Sequence, residues 1–184
     1  WFRHLATDWF SIRRPELRQS SFVLRAPVHG RMLITAANAM AQTKGIDCGM
    51  VLADARAIIP GLEVLDDSPG LSNQLLKRLA QGCIRYTPIT AVDPPDGLIL
   101  DVTGCAHLWG SDKDYLTAII TRLKNVGYGV RAAMADTIGA AWASARFTPR
   151  SAVIDSGQHM EALLSLPAAA LRIDRPGRQR SIAR

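Results

Sequence analysis

The sequence lacks most of the features that mark out special classes of protein. Its three cysteines, Cys48, Cys83 and Cys105, are widely spaced and form no C-x-x-C pair. That excludes a disulfide framework or a cysteine-rich zinc site and fits a reducing compartment with buried thiols. No apolar run approaches the roughly 20 residues that cross a bilayer. The opening WFRHLATDWF is too interrupted by polar residues to be a signal-peptide core. There is no phosphate-binding glycine loop either, since Gly127–Gly129 reads as a helix stop leading into a strand. What is present is the composition of a folded globular chain. Hydrophobic residues make up 48% and charged residues 21% of 184, enough for a real core in one domain or slightly more.

The net charge of +6 suggests nucleic acid until it is divided along the chain. Residues 1–25 sum to +3 and residues 172–184 to +4, while the long middle sums to −1. The basicity lies at the ends rather than in a central groove. It favours phosphate binding only slightly over solvated tails. The chain opens on Trp1 and ends on an Arg-rich stretch without hydrophobic period, so the sequence reads as a fragment or truncated product with residues 175–184 disordered.

A first strand is expected over Trp1–Ala6, followed by a helical turn through Phe10–Arg14. Strands at Ser21–Pro27 and from Arg31 onward form a hairpin about His29-Gly30. Helices are expected over Ala36–Thr43 and Val51–Ile59, with an edge strand at Leu62–Leu65. Leu71, Leu75, Leu79 and Cys83 make the apolar stripe of an amphipathic helix. ITAVD and GLILDVTG then read as two strands joined by a tight turn at DPPDG. A helix capped by Ser111, the strand GVRAAMA, a helix capped by Asp136, the strand SAVID and a last helix ended by Pro167 follow. The order implies an α+β fold of ferredoxin-like character, a mixed sheet covered by helices, with residues 11–70 as a small insertion domain.

The stretch PPDGLILDVTG carries two carboxylates, Asp96 and Asp101. Their spacing of five points them to opposite faces of a regular strand, so they do not form one site. Asp96 lies at the hairpin tip, where capping its own turn is an alternative role, and Asp101 suits a cap of the turn after it.

GMVLADARAIIPGL, LDVTGCAHLWG and ADTIGAAWA, within a match running from about Trp1 to Leu171, resemble the palm and fingers of the Y-family translesion DNA polymerases, most of all the ImuB-like branch. The resemblance implies a palm at residues 1–10 and 71–166, fingers at 11–70, and a remnant of the thumb entrance with a basic tail at 167–184. It also implies where catalysis has failed. The family's Asp-x-Asp pair falls on Leu5 and Thr7 of LATDWF, with Asp8 one step beyond. Its second acidic pair falls on Asp96 and Gly97, leaving Asp96 as a vestigial, single surviving metal carboxylate. Its Tyr-x-x-Arg becomes Ala39 and Gln42, and its later lysine falls near Ile138. Phosphoryl transfer depends on metal and cationic stabilisation of the transition state, so no nucleotidyl transfer is expected. No cofactor is therefore expected, and Mg²⁺ only if the chain were active.

By the same resemblance, Trp9 and Phe10 could floor a template base; separately, Arg131, Arg146 and Arg150 are candidate contacts to a nucleic-acid backbone, on faces that the sequence leaves open. Packing explains the aromatics about as well. The implied role is that of a noncatalytic accessory in error-prone translesion synthesis. Its implied partners are an ImuA-like protein, a replicative-type error-prone polymerase and, weakly, DNA primer-template, with no membrane. Sliding-clamp binding would need a C-terminal region that this sequence does not contain. The implied place is the bacterial cytoplasm, at the nucleoid. The rival readings are an active polymerase with unusual metal ligands and an interaction module with no role on DNA.

Overall fold

In LATDWFSIR the apolar residues Leu5, Ala6, Trp9, Phe10 and Ile12 recur at helical spacing. The computed structural model, which describes residues 1–171, folds this stretch as α1 (Leu5–Arg13). Strand geometry survives only at Phe2, which makes a single antiparallel bridge to Val130. The strand expected over Trp1–Ala6 is therefore cut short. Its second half turns instead into a helix whose first turn, Leu5, Ala6 and Thr7, is buried.

The hairpin forms as expected, from β1 (Phe22–Val28) and β2 (Arg31–Ala37). His29 and Gly30 between them have φ of 48° and 77°, so both central residues are left-handed. A two-residue turn of this kind matches the twist of the flanking strands. β2 runs on to Ala37, so the helix expected from Ala36 begins later, as α2 (Ala39–Thr43). α3 (Leu52–Ile58) and β3 (Glu63–Asp66) complete this part, and β3 pairs parallel with β1 to give the order β2-β1-β3. β1 alternates between two cores. Val23 joins Ile34, Ala41, Ile46 and Leu52 in a local core, whereas Phe22 and Leu24 face the main one.

Asn38 ties the start of α2 to β1. Its Oδ1 accepts from the backbone N–H of Ala41 at 2.9 Å and of Phe22 at 3.2 Å, and its Nδ2 donates to the Ser20 carbonyl at 2.8 Å.

The main body runs through α4 (Leu71–Cys83), β4 (Ile89–Asp93), β5 (Gly97–Asp101), α5 (Asp112–Asn125), β6 (Ala133–Met134), α6 (Ile138–Phe147), β7 (Ala152–Val153) and α7 (His159–Leu164). Leu71, Leu75, Leu76 and Cys83 of α4 meet Tyr115, Ile119 and Leu123 of α5 around Phe2. β4 and β5 are antiparallel, and β6 and β7 are parallel. The backbone of Trp1–Phe2 joins these two small sheets. Phe2 N donates to the Asp96 carbonyl at 2.8 Å, and Arg131 N donates to the Trp1 carbonyl at 3.0 Å. Beside this junction β5, β6 and α6 line a groove of about 370 Å³.

Ser111 caps α5 as expected, accepting from Asp114 N at 3.1 Å. α6 is capped by Thr137, not by Asp136, because the Thr137 hydroxyl reaches Ala140 N at 3.2 Å. Asp136 instead accepts from Gly157 N and Ser156 Oγ, both at 2.9 Å, and these bonds hold its carboxyl below the usual range. Of the thiols expected to be buried, Cys83 is, while Cys48 is exposed. The tail expected to be disordered, 175–184, lies outside the described residues. The chain is thus an α+β fold of small sheets and covering helices.

Asn38→Ala removes three hydrogen bonds from a buried side chain and leaves buried backbone groups without partners. Urea unfolding is expected to show a loss of about 2–3 kcal/mol with an unchanged m-value.

Candidate functional site

Asp93 ends β4, Asp96 sits in the connecting turn and Gly97 starts β5, so the hairpin tip presents two carboxylates together. α6 carries Trp142 and Arg146 four residues apart, hence on one face of the helix. That face meets the hairpin tip. Arg146 Nη2 lies 2.7 Å from Asp96 Oδ1 and 3.5 Å from Asp93 Oδ2. Trp142 Nε1 donates to Asp93 Oδ2 at 3.0 Å, and Trp1 Nε1 donates to Asp96 Oδ2 at 2.9 Å. Asp93 and Arg146 are largely withdrawn from water, with side chains 4% and 13% exposed, while the side chain of Asp96 is 31% exposed. The guanidinium also stacks 4.4 Å from the Trp142 ring centre.

Gly97 fits into this arrangement by its size. A Cβ at that position would lie 2.9 Å from Arg146 Nη2 and 3.1 Å from Asp93 Oδ2. Any larger side chain has to push the guanidinium or the carboxylate aside.

The Mg²⁺ that polymerase chemistry would require does not fit these donors. Both Asp96 oxygens already accept hydrogen bonds, and Asp93 Oδ2 accepts from Trp142 and Arg146. Among the described residues no group of three or more His, Cys, Asp or Glu could hold a metal ion. A Mg²⁺ ion would also need near-octahedral oxygen coordination at about 2.1 Å, where a cation already sits.

The other residues singled out in the sequence fall in several places. Leu5 and Thr7 lie in the first turn of α1, not on a strand, and both are buried. Asp8, also on α1, does not join the Asp93–Asp96 pair, and its Oδ2 accepts from Gly129 N at 2.8 Å. Arg131 is used internally. It donates to the carbonyls of Thr148 and Arg146 at 2.5 and 2.6 Å and stacks 4.5 Å from the Trp1 ring centre. Arg150 is exposed just beyond α6. Trp9 and Phe10 are half-buried and pack edge to face at 4.9 Å, with the Arg13 guanidinium 4.4 Å over Trp9. Gln42 accepts from Arg3 Nε at 3.2 Å. Asp101 is exposed and accepts from Thr103 N at 3.0 Å, and the Thr103 hydroxyl first and this backbone bond second lower its pKa. The structure therefore brings Asp96 and Arg146 together and adds Asp93, Trp1 and Trp142, which sequence reasoning did not assign to the site. The i, i+4 spacing of Trp142 and Arg146 was the signal available for the last pair.

Residues 1–146 match the profile of the impB/mucB/samB family. Over 129 residues the chain is 43% identical to Protein ImuB from two strains of Caulobacter vibrioides, covering 70% of this chain and 28% of theirs. Among solved structures it is similar to the insertion ternary complex of Dbh DNA polymerase, with a TM-score of 0.79 at 18% identity over 96% of this chain and 52% of that one. It is likewise similar to DinB from Sulfolobus solfataricus, with a TM-score of 0.74 at 16% identity and the same coverage. The chain thus spans about a quarter of the curated relatives' length. The likeness to solved polymerases concerns the fold.

Burial pushes the Asp8 carboxyl up to about 6, against the Gly129 N–H bond that pulls it down. Its folded pKa then exceeds the unfolded one, so the resulting stabilisation is full below about pH 4 and lost as pH rises through about 6. Asp8→Asn keeps an acceptor for Gly129 without ionising. Thermal melts are expected to show the variant close to the original chain at pH 4 and more stable at pH 7.5. A gap independent of pH would show that Asp8 titrates alike in both states.

Proposed function

Because the chain belongs to the impB/mucB/samB family, we propose that it is a noncatalytic polymerase homologue acting as an accessory in error-prone synthesis across damaged DNA. The observation that carries this reading is the guanidinium of Arg146 bound between Asp93 and Asp96, beside a Gly97 too small to supply another ligand. Two-metal phosphoryl transfer needs several carboxylates free to bind cations that also hold the triphosphate. Here the carboxylates at the hairpin tip already hold a cation fixed to the fold.

A fold without its metals can persist as a docking surface, because function resides in the site rather than the architecture. In this reading the chain works in the bacterial cytoplasm at the nucleoid. It links an ImuA-like protein to a separate replicative-type polymerase that performs synthesis, and it makes only weak contact with primer-template. Arg150, Trp9 and Phe10 are the proposed nucleic-acid contacts, because Arg131 and Arg146 spend their donors inside the protein. The exposed guanidinium of Arg150 supports that choice most.

The test is primer extension with Mg²⁺ or Mn²⁺ alongside primer-template binding across a salt series. No extension is expected, with weak binding whose log–log salt slope is shallow, roughly −1 to −3. Template-directed extension that disappears in Asp96→Ala would overturn the noncatalytic reading. Absence of binding at low salt would leave a protein-interaction module without a DNA role.

A further inference from the structure

The pairing at the hairpin tip goes beyond a missing metal site. We infer that Arg146 is a built-in replacement for a divalent cation, and that Gly97 is the residue that makes room for it. This inference deepens the noncatalytic reading and rests on it.

Geometry carries the first half. Two carboxylates from one turn converge on a single guanidinium nitrogen, at 2.7 and 3.5 Å. Convergence of two anions on one point favours a cation there, above all for Asp93, whose side chain is 4% exposed and whose charge is costly to leave unpaired away from water; Asp96 keeps part of its hydration at 31% exposed. Either a mobile ion or an arginine supplies that cation. The arginine adds two things that an ion does not. Its cation belongs to α6, so the charge pairing clasps α6 onto the β4–β5 turn. Its flat face also lies on Trp142, while the indole N–H of the same Trp142 donates to Asp93. Trp1 closes the other side, with its indole N–H on Asp96 and its ring 5.9 Å from Arg146.

Space carries the second half. With no Cβ at position 97, Nη2 can sit against the strand start; a Cβ there would approach within 2.9 Å. Real Cβ atoms are not found so close, so even Gly97→Ala must displace the guanidinium or the turn. Gly97→Glu would add a carboxylate and at the same time unseat the cation already present. Restoring the acid alone is therefore not a route back to a metal site. Position 97 and position 146 are coupled: loss of the Arg146 guanidinium opens the carboxylates to a divalent ion, and an added acid at 97 strengthens that binding only once the guanidinium is gone.

The test uses Mn²⁺ as probe, read by the free-ion electron paramagnetic resonance signal, with thermal melts on the same samples. The unaltered chain is expected to leave the signal undiminished at about 1 mM Mn²⁺. Arg146→Ala is expected to lower Tm by roughly 10 °C, to take up Mn²⁺ with an affinity on the order of millimolar, and to regain part of the lost Tm when Mn²⁺ is added. Gly97→Glu with Arg146→Ala should bind at least tenfold more tightly than Arg146→Ala alone. If Arg146→Ala does not fold, Gly97→Ala decides the matter, because it keeps every charge and adds one carbon whose nearest neighbour, at 2.9 Å, is the Arg146 guanidinium, ahead of the Asp93 carbonyl and carboxylate at 3.1 Å. A clear fall in its Tm supports the inference, and an unchanged Tm overturns it. Uptake of Mn²⁺ by the unaltered chain also overturns it, while leaving the noncatalytic reading intact if primer extension is still absent. Extension by the unaltered chain would overturn both together.

Discussion

The ion pair between Arg146 and the carboxylates of Asp93 and Asp96 is the contact on which this end of the molecule depends. It joins three parts of the chain that are distant in sequence: the Trp1–Phe2 segment, the β4–β5 turn and α6. Arg131 runs beside Arg146, giving its protons to the carbonyls of Thr148 and of Arg146 itself, with Trp1 stacked against its face. Burial and neighbouring positive charge pull the Arg131 pKa down from its ordinary value. Two arginines that could have served a phosphate backbone thus hold the fold together.

A buried ion pair is not by itself a large source of stability, because removing both charges from water offsets much of their attraction. Its value lies in the asymmetry. Once the two aspartates are in place, loss of the arginine leaves uncompensated buried charge, which is far worse than either the full set or none of it. The same asymmetry explains why such a site resists a partial return to metal binding. Indole donors from Trp1 and Trp142 add to this by occupying lone pairs that a metal would need.

Much of the fold was legible in the sequence, and the exceptions have physical causes. Amphipathic stripes gave α4 and α5, and turn residues gave the β1–β2 and β4–β5 hairpins. The first element failed because WFRHLA combines bulky residues that suit a strand with the onset of a helical repeat, and tertiary packing of Leu5 and Ala6 settled it as a helix. The cap of α6 went to Thr137 rather than Asp136, because the aspartate is drawn to Gly157 and Ser156 far along the chain. Asp96 and Gly97 were identified in the sequence, but their partner was not. Arg146 lies about 50 residues further on, and a single sequence does not show which face of α6 meets the turn. Arg131 and Arg146 read as surface cations for the same reason.

The central claim is that the carboxylates of Asp93 and Asp96 are neutralised by the protein's own arginine. The most direct measurement is anomalous diffraction at the manganese edge from crystals of the protein soaked in Mn²⁺. The expected result is no anomalous peak at the β4–β5 turn, with Arg146 still within hydrogen-bonding distance of Asp96. A manganese peak coordinated by Asp96, with the Arg146 side chain swung away, would contradict it.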